Sequence, residues 1–245
     1  MTRSLDGGTT HPVRVLWAVP RSSSTAFERM MIERGDHDVV DEPYSGAYYH
    51  GPERVSERYP VSEPHATVAA ITDDVNDRAR RRPVFVKDMA YHPADQLGRV
   101  MAEPWGWSFL IRVPRWSIPS MARVWPDLTA EEAGFSAVDR AVDAVIAAGG
   151  QPLILDSDEL CREPEHQVAA WCEAMGLMPD PTALSWTAGM REEWVRWPEW
   201  YGATSQSTGF APPRGGDPPP VAGRVAELVE ASVPVYERLR SLALS

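Results

Sequence analysis

The sequence predicts an α/β protein: one domain built on a doubly wound parallel sheet of about five strands. Short, continuous apolar runs alternate along the chain with stretches that have helical spacing. Strands of a parallel sheet covered on both faces have this form, because neither of their faces needs polar residues. With 245 residues, of which 43% are hydrophobic, the chain is long enough to fill the core of one such domain.

Each element follows from a local pattern. Short apolar runs, the first of them closed by Pro20 and a serine cluster, predict strands at 13–19, 37–40, 83–86, 108–111 and 152–155. Helical spacing, closed in three cases by glycine, predicts helices at 24–34, 66–81, 119–124, 130–148, 164–175 and 221–244. Between these elements we expect an irregular segment at 44–64 and, because it is rich in Trp, Pro and Gly, a loop-rich lid at 179–220. Residues 1–11 look like a flexible tail.

The composition argues against several kinds of partner. Subtracting 35 acidic from 24 basic side chains gives a net charge of −11, which disfavours nucleic acid and anionic membrane surfaces. Cys161 and Cys172 form no CxxC pair and the sequence opens without an apolar leader, so we expect a cytoplasmic protein without disulfides. We expect no membrane span, since no apolar run reaches roughly 18 residues, and no metal site, since the histidines lack ligand spacing.

The first motif with chemical meaning is the turn at residues 20–25 (PRSSST), between the first predicted strand and helix. Backbone amides at a helix N-terminus carry partial positive charge and bind phosphate or sulfate. Arg21 adds a cation and the hydroxyls add hydrogen-bond donors. The Gly-Lys-Ser/Thr ending of a Walker A loop is absent, which argues against an ATPase or GTPase. Simple capping of the helix by the serines is the alternative.

A second charged turn follows the fourth predicted strand, with Arg112, Pro114, Arg115 and Ser120. The carboxyl ends of parallel strands meet at one edge of the sheet, and ligands of doubly wound folds bind there. Two arginines beside an arginine-bearing turn repel one another unless an anion lies between them. We therefore expect a second anion-binding turn at this edge. A surface pair neutralised by acidic neighbours is the alternative.

Together the two turns resemble loops of the sulfotransferases that use 3′-phosphoadenosine 5′-phosphosulfate (PAPS), in particular the bacterial small-molecule and carbohydrate-type branch. Residues 20–25 are similar to that family's phosphosulfate loop, Pro-Lys/Arg-Ser-Gly-Ser/Thr-Ser/Thr. Arg112, Pro114 and Ser120 have the spacing of its 3′-phosphate loop, and residues 154–160 (ILDSDEL) look like its strand and acidic turn. The resemblance covers about residues 13–165.

The resemblance implies a sulfotransferase fold with a P-loop-like phosphosulfate site. PAPS would be the sulfuryl donor, 3′-phosphoadenosine 5′-phosphate (PAP) the product, and a hydroxyl or amine of a small molecule the acceptor, without a metal. The donor would be held at its 5′-phosphosulfate by Arg21, Ser22, Ser23, Ser24 and Thr25, and at its 3′-phosphate by Arg112 and Ser120.

The chain departs from the family pattern at Ser23, which replaces the loop glycine and brings a side chain close to the backbone that glycine leaves open. The late Arg-Lys-Gly loop of many members is echoed only by Arg214, Gly215 and Gly216. If Ser23 abolishes turnover, the chain would be a non-catalytic scaffold that binds PAP or another nucleotide. Another phosphate-site transferase, such as a kinase, is a further alternative.

Sulfuryl transfer needs cations near the transferred group and a base for the acceptor's proton. Arg21 and Lys87 are the candidate cations. Glu42 is the first candidate base, because its Glu-Pro element resembles that of the carbohydrate-type enzymes. His92, which is loosely similar to the histidine in the Lys-x-His of the cytosolic branch, is the second.

Each of these side chains also has a structural interpretation. Glu42 would then be an exposed loop carboxylate, His92 a capping or buried histidine, and Lys87 an ion-pair partner of Asp41 or Asp88. The aromatic residues of 179–220 either stack on adenine or line an acceptor pocket, or pack in the core, which is their commoner fate. The oligomeric state stays open, and a homodimer is one arrangement.

Overall fold

The computed structural model describes residues 10–194, 196–213 and 215–244. They form a single α/β domain around a five-stranded parallel sheet, so the predicted fold class is confirmed. The predicted tail at 1–11 falls almost entirely on residues 1–9, which lie outside the described part. The strands are β1 (Val13–Ala18), β2 (Asp38–Asp41), β3 (Val84–Met89), β4 (Gly106–Ile111) and β5 (Leu153–Asp156).

The strand order is β2-β3-β1-β4-β5. Val13 pairs with Val84 of β3 and Arg14 pairs with Gly106 of β4, both in parallel register. The chain therefore moves to one side of β1 for β2 and β3 and to the other side for β4 and β5. This reversal beside β1 is the switch point at which doubly wound sheets open a crevice for ligands.

Helices fill the connections between the strands. They are α1 (Ser24–Arg34), α2 (Pro43–Ser45), α3 (Val68–Ala79), α4 (Leu97–Val100), α5 (Pro114–Ala122), α6 (Phe135–Ala147), α7 (Ser157–Arg162), α8 (Pro164–Ala174), α9 (Gly202–Ser205) and α10 (Gly223–Arg240). A π-helix spans Gly46–His50, and 3-10 turns lie at Ala94–Gln96, Pro181–Leu184 and Pro198–Trp200. Among the described helices, none has the length and apolar character needed to cross a membrane.

Both faces of the sheet are covered by large apolar side chains. On one face the Trp171 ring of α8 packs edge-on against Phe27 of α1, with ring centroids 4.9 Å apart, and Phe27 in turn lies 6.0 Å from Phe85 of β3. On the other face Trp17 of β1 stacks on Trp107 of β4 at 6.2 Å. This double burial explains why the strands are continuous apolar runs in the sequence.

The segment predicted to be irregular, 44–64, begins instead with α2 and the π-helix. Tyr44, Tyr48 and Tyr49 are all buried there. Their burial stabilises a helical stretch that is too short to show a repeating hydrophobic pattern in the sequence. The prediction was wrong for these first residues because the signal for a helix is its repeat over several turns.

Two helices begin about a turn or more away from their predicted first residue. Helix α5 starts at Pro114 instead of 119, because proline suits the first turn of a helix, where its missing amide is not needed. Helix α6 starts at Phe135 instead of 130, after Gly134 with φ of 84°. Gly134 adopts this left-handed conformation at no steric cost, and its Cα faces Pro20 so closely that a Cβ would lie 2.9 Å from Pro20 Cδ.

Candidate active site

A pocket of about 250 Å³ opens at the carboxyl edge of the sheet. Its walls come from the loops after β1 to β4, from α7 and from residues 197–213. One half, which we call the cationic half, is formed by Arg21, Ser23, Ser24, Thr25, Arg112 and Ser120. The other, which we call the aromatic half, is formed by Glu42, Tyr49, Tyr91, His92, Trp125, Trp197, Trp200 and Tyr201.

The loop from β1 into α1 has a left-handed backbone at two positions. The φ angle is 61° at Arg21 and 68° at Ser23, in a region that carries a steric cost for residues other than glycine. Ser23 thus adopts the conformation that a glycine would adopt, and its hydroxyl turns towards α7, 3.3 Å from Ser157 Oγ. The replacement of glycine has therefore kept the left-handed turn.

Simple capping does not account for the serines of this loop. Ser23 occupies the N-cap position of α1 but makes no side-chain capping bond. Ser22 is fully buried, and its hydroxyl donates to the Val19 carbonyl over 2.7 Å. Ser24 and Thr25 line the pocket at the first turn, where a helix leaves its amides unpaired. The loop thus turns hydroxyls and helix amides towards the cationic half, while the Ser22 side chain holds the turn itself.

The two arginine turns predicted from the sequence meet in this half. Arg112 Nη1 donates to the Arg21 carbonyl over 2.6 Å, and Arg21 Nε donates to Ser120 Oγ over 3.3 Å. Arg21 also lies 5.6 Å over the ring of Trp200. Arg115, in contrast, is exposed and lies away from the pocket, beside 217–221. One of the two arginines after β4 therefore belongs to the pocket.

Glu42 lies in the aromatic half, directly after β2. Its backbone is left-handed, with φ of 42°, and its side chain is 13% exposed. The Lys87 ammonium donates to Glu42 Oε1 over 2.7 Å. Burial raises the pKa of Glu42, and Lys87 partly offsets this rise. Glu42 is therefore a mostly enclosed carboxyl group that reaches the pocket, not the exposed loop carboxylate of the structural alternative.

Lys87 is completely buried behind Glu42. Besides that bond, its Nζ lies 2.5 Å from Asp41 Oδ1 and 3.3 Å from Glu28 Oε2. Burial alone would lower the pKa of Lys87, but the carboxylates, Asp41 foremost, raise it well above its usual value. The predicted alternative of an ion pair with Asp41 is thus present. Because the ammonium is enclosed, any effect of Lys87 on a transferred group would act through these carboxylates instead of by direct contact.

His92 lines the pocket near Glu42 and is oriented by Asp88. His92 Nδ1 and Asp88 Oδ1 are 2.5 Å apart. Asp88 is fully buried and also accepts from the backbone amides of Tyr44 and Met89, each over 2.7 Å. A carboxylate that fixes one imidazole nitrogen in this way leaves the other to accept a proton. Both candidate bases therefore lie in one half of one pocket.

Two further polar residues that the sequence did not predict as site residues border the cationic half, although one of them lies in the acidic turn at 154–160. Asp158 and Cys161 both lie on α7 and line the pocket. Burial, followed by the nearby Asp156, raises the pKa of Asp158, while Arg112 opposes the rise. Burial also raises the pKa of the Cys161 thiol, whose sulfur lies 3.5 Å from Ser23 Oγ. No group of three or more potential metal ligands occurs within residues 10–194, 196–213 and 215–244.

The aromatic residues of the predicted lid divide between two roles. Trp197, Trp200 and Tyr201 line the pocket. Trp186 and Trp194 are buried, and their ring centroids lie 5.8 Å and 5.9 Å from the guanidinium carbon of Arg29. Core packing and pocket lining therefore both occur. Arg214, from the weak match to a late family loop, lies outside the described residues.

The chain belongs to the sulfotransferase domain family, whose family model matches residues 13–243. Among solved structures, the sulfotransferase domain of the olefin synthase from Synechococcus PCC 7002 is similar, with a TM-score of 0.58 and 14% identity. The alignment covers 95% of this chain and 98% of that domain. At this identity the likeness establishes a shared fold.

The chain is also similar to two curated proteins of Arabidopsis thaliana. They are named branched-chain-amino-acid aminotransferase-like protein 1 and 2, and share 28% identity over 229 residues and 27% over 230 residues with this chain. The matches take in 92% and 91% of this chain but 41% and 40% of the relatives. The chain thus spans about two fifths of the length of the curated relatives it matches.

Proposed function

We propose that this protein transfers the sulfuryl group of PAPS to a hydroxyl group of a small, largely apolar molecule. The observation that carries the proposal is the meeting of Arg21, Arg112, Ser120 and the α1 N-terminus in one pocket whose other half holds Glu42 and His92. An anion with phosphate groups at both ends fits the first set, and a proton-accepting side chain fits the chemistry of the second.

The donor would lie in the cationic half. The amides at the start of α1, with Ser24 and Thr25, would hold the phosphosulfate, and Arg112 with Ser120 would hold the 3′-phosphate. Arg21 joins these two groups, since it donates to Ser120 and its carbonyl accepts from Arg112. It is therefore the residue that we expect to respond to both ends of the donor.

The aromatic half supports an apolar acceptor, because the polar ends of four of its aromatic side chains are used internally. The Tyr201 hydroxyl donates to Asp41, the Tyr49 hydroxyl lies 3.0 Å from that of Tyr91, and Trp197 Nε1 donates to Ser45 Oγ over 3.2 Å. Ring surfaces are left for a ligand. A sugar would need several hydrogen-bond partners there, so an alkyl or aryl alcohol fits this half better.

The reaction would need one proton transfer and one substitution. Glu42, or His92 in its place, would take the hydroxyl proton of the acceptor, and the acceptor oxygen would form a bond to sulfur. The bond from sulfur to the phosphate oxygen of PAP would break, and Arg21 and the α1 amides would stabilise the charge that moves to the phosphate. Sulfated product and PAP would leave the pocket.

The direct test is to incubate the purified protein with PAPS and either 2-naphthylmethanol or methyl glucoside, with product detection by mass spectrometry. We expect sulfation of the aryl alcohol and little of the sugar. Calorimetry should show binding of PAP and weaker binding of ATP. Binding of PAP without sulfation of any alcohol would instead support the non-catalytic scaffold, and failure to bind PAP would refute the proposal.

The candidate bases can be separated by substitution. Glu42→Gln is expected to lower kcat by about 10² to 10⁴-fold and to leave PAP binding unchanged, because a general base contributes rate rather than donor affinity. His92→Ala should have the smaller effect. A larger loss in His92→Ala would reverse the assignment and make the Asp88–His92 pair the base.

A further inference from the structure

Tyr201 connects the Trp-rich segment to the buried charges behind Glu42. Its hydroxyl donates to Asp41 Oδ2, and its ring lies beside Lys87, with Nζ 5.7 Å from the ring centroid. Tyr201 is 1% exposed, and its ring stacks on Trp194 at 5.3 Å. The side chain is therefore fixed on both sides, and it contacts the cluster through both its ring and its hydroxyl.

The buried cluster contains more carboxyl groups than cations. One ammonium, that of Lys87, serves Glu28, Asp41 and Glu42, whose side chains are 0%, 1% and 13% exposed. The strength of the bond from Lys87 to Glu42 therefore depends on how strongly the other two carboxyl groups compete for the same ammonium. A second hydrogen-bond donor to Asp41 weakens that competition.

We propose that Tyr201 is a positioning residue for the candidate base: by donating to Asp41, its hydroxyl leaves the Lys87 ammonium available to Glu42. The inference rests on the proposed function in that Glu42 is taken as the base. It assigns to the Trp-rich segment a part in setting the base, beyond forming a wall of the pocket.

The hydroxyl of Tyr201 is suited to this part because it stays protonated. Burial, followed by the charge of Glu42, raises the pKa of Tyr201 far above its usual value, so the group is a hydrogen-bond donor at every working pH. Around Glu42, the titratable groups from the packed elements are Glu28, Asp41, Lys87, Asp88, Tyr91, His92 and Tyr201.

Tyr201→Phe removes the donor and keeps the ring. Asp41 would then compete more strongly for Lys87, the pKa of Glu42 would rise, and Glu42 would be protonated up to a higher pH. We expect the acid limb of the kcat/KM profile to move upward by about half a pH unit to one unit. The shift is this small because only part of the free energy of the lost charge-assisted hydrogen bond reaches Glu42 as a change in its pKa. PAP affinity should stay unchanged.

Asp41→Asn tests the same link in the opposite direction. Asparagine still accepts from Tyr201 but no longer competes as an anion for Lys87, so the acid limb should move to lower pH. The matched control is Tyr44→Phe, which deletes another buried hydroxyl, one that bonds Thr72 Oγ1 of α3 over 2.9 Å instead of a carboxyl group of the cluster. It should leave the acid limb in place.

An infrared titration makes the test independent of turnover. The protonation midpoint of Glu42 is obtained from spectra of the protein minus those of the Glu42→Gln variant, recorded with and without Tyr201→Phe. An upward shift of this midpoint supports the inference even if no acceptor is sulfated, in which case the proposed function alone has failed. The inference is overturned if the Glu42 midpoint is unchanged or lowered in a folded Tyr201→Phe protein. It is also overturned if the Glu42 midpoint does not fall in the Asp41→Asn protein.

Discussion

The cationic half and the aromatic half of the pocket are built in different ways. The cationic half depends on backbone: two left-handed residues, Arg21 and Ser23, and a helix N-terminus shape it. The catalytic end of the aromatic half depends on buried side chains, with Lys87 and two carboxyl groups, those of Glu28 and Asp41, packed behind Glu42. Loss of an arginine side chain from the first should change ligand affinity, whereas substitutions of the buried charges in the second should change stability and reactivity together.

The largest effect is expected from Lys87→Met, which leaves three buried carboxyl groups without their cation. Breaking a buried ion pair in this way costs about 3–5 kcal/mol of unfolding free energy, to be measured by urea denaturation. The control is Arg80→Met, which breaks an ion pair to Asp77 whose side chains are 70% and 60% exposed and should cost below about 1 kcal/mol. Equal losses of unfolding free energy in the two variants would show that the buried cluster contributes no more to stability than an exposed ion pair.

Arg112→Ala should act on binding instead. The guanidinium holds the Arg21 carbonyl and faces the pocket, so its loss should weaken PAP binding by about 10 to 100-fold, as for one or two charge-assisted hydrogen bonds. Calorimetry measures the effect. Arg115→Ala, three residues on and exposed, is the matched control and should bind PAP like the unaltered protein. A similar loss in both would remove Arg112 from the donor site.

The buried cluster also predicts a pH dependence of stability. Burial, followed by Asp41, raises the pKa of Glu28 well above its usual value, so the folded state retains a proton that the unfolded state releases. The free energy of unfolding should therefore fall as pH rises from the usual carboxyl range towards the raised pKa, by at most about 1.4 kcal/mol per unit. Glu28→Gln should flatten this slope in urea titrations, while Glu33→Gln on the same helix should retain it.

The smallest effect sharpens the description of the loop. Ser23→Gly should raise the unfolding free energy by about 0.5–1 kcal/mol, because glycine adopts the left-handed backbone without steric strain. The larger conformational entropy of glycine in the unfolded state offsets part of this gain. PAP affinity should not fall. Ser22→Gly should have the opposite sign, since it removes the buried bond to the Val19 carbonyl. Destabilisation by both would indicate that the Ser23 hydroxyl matters more than its backbone.

The sequence predicts the cationic half better than the aromatic half. Arg21 and Arg112 follow apolar strands, and the parallel sheet brings strand ends together, so their meeting follows from topology. Glu28 and Tyr201 carry no such signal. Glu28 lies inside a helix pattern and Tyr201 in an irregular segment, and both reach the cluster only through the packing of α1 and residues 197–201 onto β3.

The Lys87 side chain has a consequence for how this protein can be probed. It is the only lysine in the sequence, and it is 0% exposed. Acylating reagents that modify primary amines should therefore leave every side chain of the folded protein intact, and acetylation at this position would require the cluster to open. The rate at which Lys87 gains the mass of one acyl group would then measure how often the buried cluster opens to solvent.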